Sequence, residues 1–431
     1  MTGYLTASAP ILSPFMHLFT SLFGFEKIPP IRGIQWFNLS VLVFTPALAA
    51  YGICYVPINS KTMVCAVTLY VNSMIGITAG YHRLWSHRAY KATLALQCFL
   101  LLSGSCAVQG SVYWWARRHR SHHRHTDTDE DPYNAKRGLF WSHIGWMIFH
   151  TDLRPGSADI SDLRNDELIQ WQHRWYFAIA FTTGFVLPTM LTGFLWDDWL
   201  GGLCFAAALR MTVCHHCVFC INSVAHYLGD TPYDDRLSPK DHLLSAILTM
   251  GEGYHNFHHQ FPMDYRNAFR WYQYDPTKWF ITACNVIGLA SHLRTFPGNE
   301  IQKGSLTMEL KRLKRLQDAL EWPVPPEDLP ILTWSAFQEE AAKRTLILVS
   351  GFIHDVTTFN AEHPGGVELL RRNSGKDMTA AFFGGIYQHS NAAHNFLAML
   401  RVGILAGGVE LLGEQHIPPS QQLHITSNLR A

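Results

Sequence analysis

Residues 114–127 read WWARRHRSHHRHTD and place His119, His122 and His123 at positions i, i+3 and i+4. That spacing predicts a helix with three imidazoles on one face. Neutral imidazoles converging on one point make a metal site. Three further clusters repeat the theme. HRLWSH (82–87) carries His82 and His87, NSVAH (222–226) carries Asn222 and His226, and HNFHH (255–259) carries His255, His258 and His259. Nine histidines and one asparagine are too many for one ion and enough for two. His82 and His87 are five apart, about 140° around an ideal α-helix, so they are expected to straddle a helix end.

Outward from these clusters the chain is apolar. Only 16% of residues are charged, against roughly 25% in ordinary soluble domains. Stretches 34–58, 62–81, 177–196 and 199–221 are each long and apolar enough to cross a bilayer. They form two hairpins closed by the short turns PINSK and DDW. Residues 82–176 hold twelve Lys and Arg, whereas the two turns hold one, Lys61. The positive-inside rule puts 82–176 and both chain ends in the cytosol, with all four clusters on that side. Residues 92–113 are read as an in-plane or re-entrant helix, because a fifth span would separate the clusters. Residues 11–25 are too short to span and read as an interfacial segment; no signal-peptide pattern precedes them.

The net charge of +1 gives no reason to expect nucleic acid. Nine cysteines, all before residue 285, lack disulfide-framework spacing. Cys214, Cys217 and Cys220 read as small packing residues on a buried helix. Arg210, in the fourth span, is either functional or paired internally. His215 and His216 read as supporting or packing residues, and His125 as a supporting neighbour of the central cluster. The isolated His17, His143, His150, His173, His242 and His292 read as structural.

The composition changes after about residue 300. An amphipathic helix (275–294) closes the apolar part, a basic amphipathic helix follows (308–320), and PVPPEDLP (323–330) is a stiff linker. A soluble pattern of short strands and turns begins at Ile331. It contains His363-Pro364-Gly365-Gly366 before a helical run, and His389 lies 26 residues on. Two histidines from opposite sides can ligate haem iron axially; His394 is the rival for the second position. The expected segments are 1–33 interfacial, 34–300 membrane, 301–330 basic helix and linker, 331–408 haem-binding, and 409–431 a polar tail. The expected fold class is an all-α polytopic membrane domain, four transmembrane helices under a cytosolic helical cap, with a C-terminal α+β haem domain.

Structural zinc would use cysteines or one compact four-ligand unit. Ferritin-like di-iron sites need several carboxylates and Glu-x-x-His pairs, and Glu252–His255 is the single such pair among the clusters. An all-nitrogen shell suits iron that cycles redox state and activates oxygen. Desaturation and hydroxylation both fit such a shell. A metal transporter or a plain electron carrier is the alternative of another class, but transport predicts ligands inside the spans.

HRLWSH, HRSHH, NSVAH and HNFHH, in that order, two between the membrane hairpins and two after the second, resemble the membrane-bound acyl-CoA Δ9 (stearoyl-CoA) desaturases, as does DTDEDPYNAKRGLFWSHIGW (127–146). The similarity covers about residues 30–300. HDVTTFNAEHPGGVELL and GGIYQHSNAA resemble cytochrome b5, and the order of the two parts resembles the fungal Δ9 desaturases. The resemblance implies two irons held by His82, His87, His119, His122, His123, His226, His255, His258 and His259, with Asn222 completing one shell through water. It implies haem b on His363 and His389. It implies O₂-dependent insertion of a cis C9–C10 double bond into saturated acyl-CoA, with electrons from an NADH-cytochrome b5 reductase, at the endoplasmic reticulum membrane. Residues matching Gln109 and Trp115 line the bend of the family's substrate tunnel. Arg117 matches an arginine that holds the CoA, and Tyr70 and Met74 match chain-length positions. Val218 departs from a frequent threonine. Met74 is bulkier than the common small residue, which predicts a preference for palmitoyl over stearoyl chains.

Overall fold

The computed structural model describes residues 28–384 and 389–407; the N-terminal stretch 11–25, His17 and the tail from 409 lie outside them. The chain divides into two compact units at Leu313/Lys314. The division falls within one helix, Gly298–Asp318, so the basic helix is longer than the expected 308–320 and joins the two units.

Among the described residues, four helices of the first unit are long and apolar enough to cross a membrane: α1 (Trp36–Tyr55), α2 (Ser60–Ser86), α3 (Glu167–Trp196) and α4 (Trp199–Tyr227). Large apolar side chains such as Phe37, Val43, Phe44, Phe177 and Phe194 point outward from α1 and α3, the inverse of a water-soluble bundle and the pattern that lipid demands. Inside, small residues permit close approach: Ala206, Ala207 and Ala208 of α4 are fully buried.

Three of these helices extend past the apolar runs that announce them. α2 continues to Ser86 and α4 to Tyr227, carrying His82 and His226 on their last turns. α3 begins at Glu167 rather than 177 because Asp166 caps it, accepting from the Ile169 amide, and its polar first turns bury Gln172 and Tyr176. Hydropathy marks the part of a helix in lipid, not the part beyond it.

Leu94–Ser105 is a helix of 12 residues, about 18 Å long and too short to cross. It packs against α2 where Gly76 meets Ser103 and Gly104 backbone to backbone, so that any Cβ at Gly76 would clash. The expected helix after 275 is Pro276–Val286, capped by Asp275.

The second unit contains a four-stranded sheet. Ile331–Leu332 pairs in parallel with Arg401–Leu405, which pairs antiparallel with Phe352–Asp355, which pairs antiparallel with Leu346–Val349. Short helices Val367–Arg372, Thr379–Phe382 and Asn391–Met399 accompany it. One face buries Phe337, Leu346, Leu348 and Ile353; the other buries Ile347, Val349, Val356 and Leu370, the period-2 alternation of a sheet covered on both sides.

Candidate metal centre and haem site

The helix Val112–His125 starts at Ser111, whose hydroxyl accepts from the Trp114 amide. It presents His119 and His122 to the interior, where both are buried. His255, His258 and His259 stand on the short helix His255–Gln260. Its N-terminus is fixed by Asp241, whose carboxylate accepts from the Asn256 and Phe257 amides at 2.8 and 3.2 Å.

His82 and His87 meet for a reason the α-helical wheel conceals. α2 widens into π-helical turns over Gly76–Ser86, and the His87 amide donates to the His82 carbonyl at 3.0 Å. An i→i+5 turn stacks residues five apart on one face, and the two rings lie 4.7 Å apart. The helix does end at His87, but the π turn is what aligns the pair.

The nine histidines form two groups whose side-chain nitrogens lie within 4.8 Å of one another: His82, His87, His119, His123 and His258 in one, His122, His226, His255 and His259 in the other. In the first, Nε2–Nε2 separations are 2.9 Å for His82–His258, His87–His119 and His123–His258. In the second they are 3.3 Å for His122–His259 and 3.2 Å for His226–His255 and His255–His259.

The outward nitrogens of two rings are hydrogen-bonded, and that of a third faces a carboxylate. His122 Nδ1 donates to Asp131 at 2.8 Å. His226 Nδ1 donates to Ser238 Oγ at 2.7 Å, and that hydroxyl gives its own proton to Asp127 at 2.5 Å. His82 Nδ1 lies 2.7 Å from Glu252 Oε2. A neutral imidazole with its proton on Nδ1 has a lone pair on Nε2. Converging lone pairs repel unless a cation lies among them, so this donor set fits metal. Buried carboxylates behind metal-binding histidines serve to fix tautomer and orientation.

Glu252 is itself anchored. Arg83, fully buried, bonds Glu252 Oε1 and Asp275 Oδ1, each at 2.9 Å. Burial alone would raise the Glu252 carboxyl, but His82 and Arg83 outweigh it and hold it down at about 2. For His119, His123, His255, His258 and His259, burial first and neighbouring imidazoles second push the pKa well below the usual histidine range. They are neutral at pH 7, as ligands must be.

A cavity of about 370 Å³ borders these groups; His82, His119 and His255 line it together with Asn222, Gln109, Trp115, Val218 and Met74. Tyr70 is not in its wall, and its hydroxyl donates to the Leu248 carbonyl. Arg117 lines an adjoining cavity of about 310 Å³ with Tyr113, and Arg118 and His173 line both. His215 bonds the Ala107 carbonyl and His216 faces His143. Cys214, Cys217 and Cys220 are free thiols.

Residues 59–284 match the family described as "Fatty acid desaturase". The chain belongs to the fatty acid desaturase family. Residues 333–406 of this desaturase match "Cytochrome b5-like Heme/Steroid binding domain". It is 47% identical over 381 residues to "Probable acyl-CoA desaturase" of Schizosaccharomyces pombe, covering 88% of this chain and 79% of the relative. It is 43% identical over 376 residues to "Acyl-CoA desaturase 1" of Saccharomyces cerevisiae, covering 86% and 74%. "Delta(9)-fatty-acid desaturase fat-7" of Caenorhabditis elegans is 38% identical over 286 residues, covering 64% of this chain and 84% of the relative.

In the second unit of the desaturase, His363 lies in the turn before Val367–Arg372, where Gly366 has φ +89°. His389 precedes Asn391–Met399; its Nδ1 donates to the Phe382 carbonyl at 2.9 Å, and its ring stacks on Phe382 at 4.3 Å. That bond places the ring proton on Nδ1. Burial first and nearby His389 second lower the His363 pKa. Leu369, Phe383, Phe396 and Met399, on or beside the helices next to the two histidines, are exposed, apolar area suited to a flat macrocycle. His394 lies against Phe382 and Phe383, ring to ring, at 4.6 and 5.3 Å.

Reading by histidine spacing missed Arg83, Asp127, Asp131, Ser238, Glu252 and Asp275. Two signals were available: the acidic run DTDED directly after the central cluster, which holds Asp127 and Asp131, and the Glu-x-x-His pair Glu252–His255.

Proposed function

We propose that this desaturase inserts a cis double bond at C9–C10 of saturated fatty acyl-CoA, palmitoyl or stearoyl. Each turnover takes one O₂, two electrons and two protons, and yields two waters. The observation that carries this reading is that two groups of converging imidazoles border a cavity whose wall holds the apolar side chains Met74, Ile77, Val218 and Ile221.

Two irons held by the nine histidines, with Asn222 completing one shell through water, would supply the oxidising power that an unactivated methylene C–H bond requires. The chain's own part is placement. Met74, Ile77 and Val218 offer an apolar wall that accepts methylenes and excludes water. Gln109 and Trp115 set the bend that brings one C–C bond beside the centre, since orientation within a few tenths of an ångström decides which bond reacts. Met74 limits chain length, with Tyr70 supporting it from outside the wall. Arg117 pairs with CoA phosphate.

His363 and His389 would hold haem b, which would supply one-electron transfer from a separate NADH-cytochrome b5 reductase. The protein resides in the endoplasmic reticulum membrane with its termini and metal centre cytosolic. The segments proceed as 34–300 for the membrane domain, 301–330 for the basic helix and linker, and 331–408 for the haem domain.

The test is gas chromatography–mass spectrometry of fatty acids from cells lacking their own Δ9 desaturase. Palmitoleate and oleate that appear with the chain and vanish with His122→Ala support the reading. Hydroxylated acids in their place overturn it.

A further inference from the structure

Non-helical backbone at membrane depth must have its polar groups satisfied by protein. The segment Cys106–Val112 links the short helix Leu94–Ser105 to the histidine-bearing helix Val112–His125. Val108, Gln109, Gly110 and Ser111 line the substrate cavity. Val108 has φ +55° and Gly110 φ +95°, conformations that the chain does not hold unaided at a β-branched residue.

Its polar groups are taken up almost one by one. Arg210 of α4, 3% exposed, donates to the Cys106 carbonyl at 2.7 Å, the Gly184 carbonyl of α3 at 2.9 Å and Ser73 Oγ of α2 at 3.2 Å. His215 Nε2 donates to the Ala107 carbonyl at 2.7 Å. Tyr176 of α3 accepts from the Gly110 amide at 2.8 Å, and Gln172 from the Val112 amide at 3.1 Å. Arg210 thus ties three membrane helices to the first residue of the segment, although its own side chain is absent from the cavity wall. Among the described residues no carboxylate bonds it; it is held by carbonyls and a hydroxyl.

We infer that Arg210 is a positioning residue for the choice of bond and chain length. By pinning Cys106, with His215 pinning Ala107, it fixes the wall that carries Gln109. This rests on the desaturase reading above. The guanidinium's several donors in a planar fork suit three acceptors at once, which a lysine ammonium meets less well.

The test uses the full-length protein with Arg210→Met, Arg210→Lys and Tyr176→Phe. Hydrogen–deuterium exchange is followed on the peptide spanning 106–112, and products are analysed for bond position and chain length in cells lacking their own Δ9 desaturase. Arg210→Met and Tyr176→Phe should raise exchange in 106–112 while α2 and α4 stay protected. The ratio of 16- to 18-carbon product, or the fraction of bonds off C9, should shift by roughly threefold to tenfold, approaching the discrimination one methylene brings in an apolar pocket. Arg210→Lys should fall between. Unchanged exchange overturns the inference, as does raised exchange with bond position and chain length unaltered, or a loss of product that Arg210→Lys does not restore. A wild-type chain that makes no C9 olefin would instead overturn the underlying function.

Discussion

His82 faces two ways. Its Nδ1 lies 2.7 Å from Glu252 Oε2, and its Nε2 lies 2.9 Å from His258 Nε2. Glu252 is fixed in turn by Arg83, which also grips Asp275. A chain of charge therefore runs from a buried arginine through a carboxylate to a ring whose free lone pair points at four other imidazoles.

Glu252→Gln keeps the shape and removes the charge that orients His82. Metal affinity of the five-histidine group should fall roughly 10- to 100-fold, the usual effect of losing such a supporting partner. Asp131→Asn should do the same to the other group through His122. Iron content after competition with a graded chelator measures both. Retention equal to wild type would show that the carboxylates play no part in holding the ligands.

The buried histidines make the metal-free protein acid-sensitive. His119, His123, His255, His258 and His259 titrate well below 6.5 when folded and near 6.5 when unfolded. The unfolded chain therefore binds more protons as pH falls. Their contribution to stability is full above about 6.5 and declines below it. Glu252, held at about 2, stays ionised throughout that window. The thermal midpoint of chelator-stripped protein should hold nearly level down to about pH 6.5 and fall below it. A midpoint that stays flat or rises there would contradict the assignment.

Met74 is fully buried and lines the cavity, its Sδ 3.6 Å from Cys214 Sγ. Met74→Ala lengthens the space available to the acyl chain. Turnover should move from palmitoyl- toward stearoyl-CoA by roughly tenfold, the lower end of what one methylene is worth in a closed apolar pocket. Competition between the two substrates in one assay gives the ratio directly, and an unchanged ratio removes Met74 from the chain-length wall.

In the second unit, His363→Ala and His389→Ala should each abolish the Soret absorbance of bound haem while leaving iron content of the first unit intact. His394→Ala should leave the absorbance in place. Loss on His394→Ala with retention on His389→Ala would reassign the second axial position.

Much of the site was legible because helical spacing writes itself into sequence. Residues His119, His122 and His123, or His255, His258 and His259, share a face wherever a helix forms. The four spans were legible because lipid demands long apolar runs. What escaped depends on three dimensions. Arg83, Asp275 and Ser238 are ordinary polar residues until folding sets them behind a histidine. The His82–His87 pair needed a π turn that no hydropathy pattern announces. The helical ends Ser86 and Tyr227 lie past the apolar runs because they serve the metal groups and not the bilayer. Tyr70, expected in the cavity wall, turns instead to the Leu248 carbonyl.

The most direct measurement is turnover of palmitoyl-CoA deuterated at C9 and C10 by the purified, iron-loaded protein with NADH and cytochrome b5 reductase. Mass spectrometry then counts the label left in the product. Desaturation at C9–C10 gives a monounsaturated chain that has lost one deuterium from C9 and one from C10, with no product from His122→Ala. A product that keeps all its label with the double bond elsewhere, or one that gains a hydroxyl group, would contradict it.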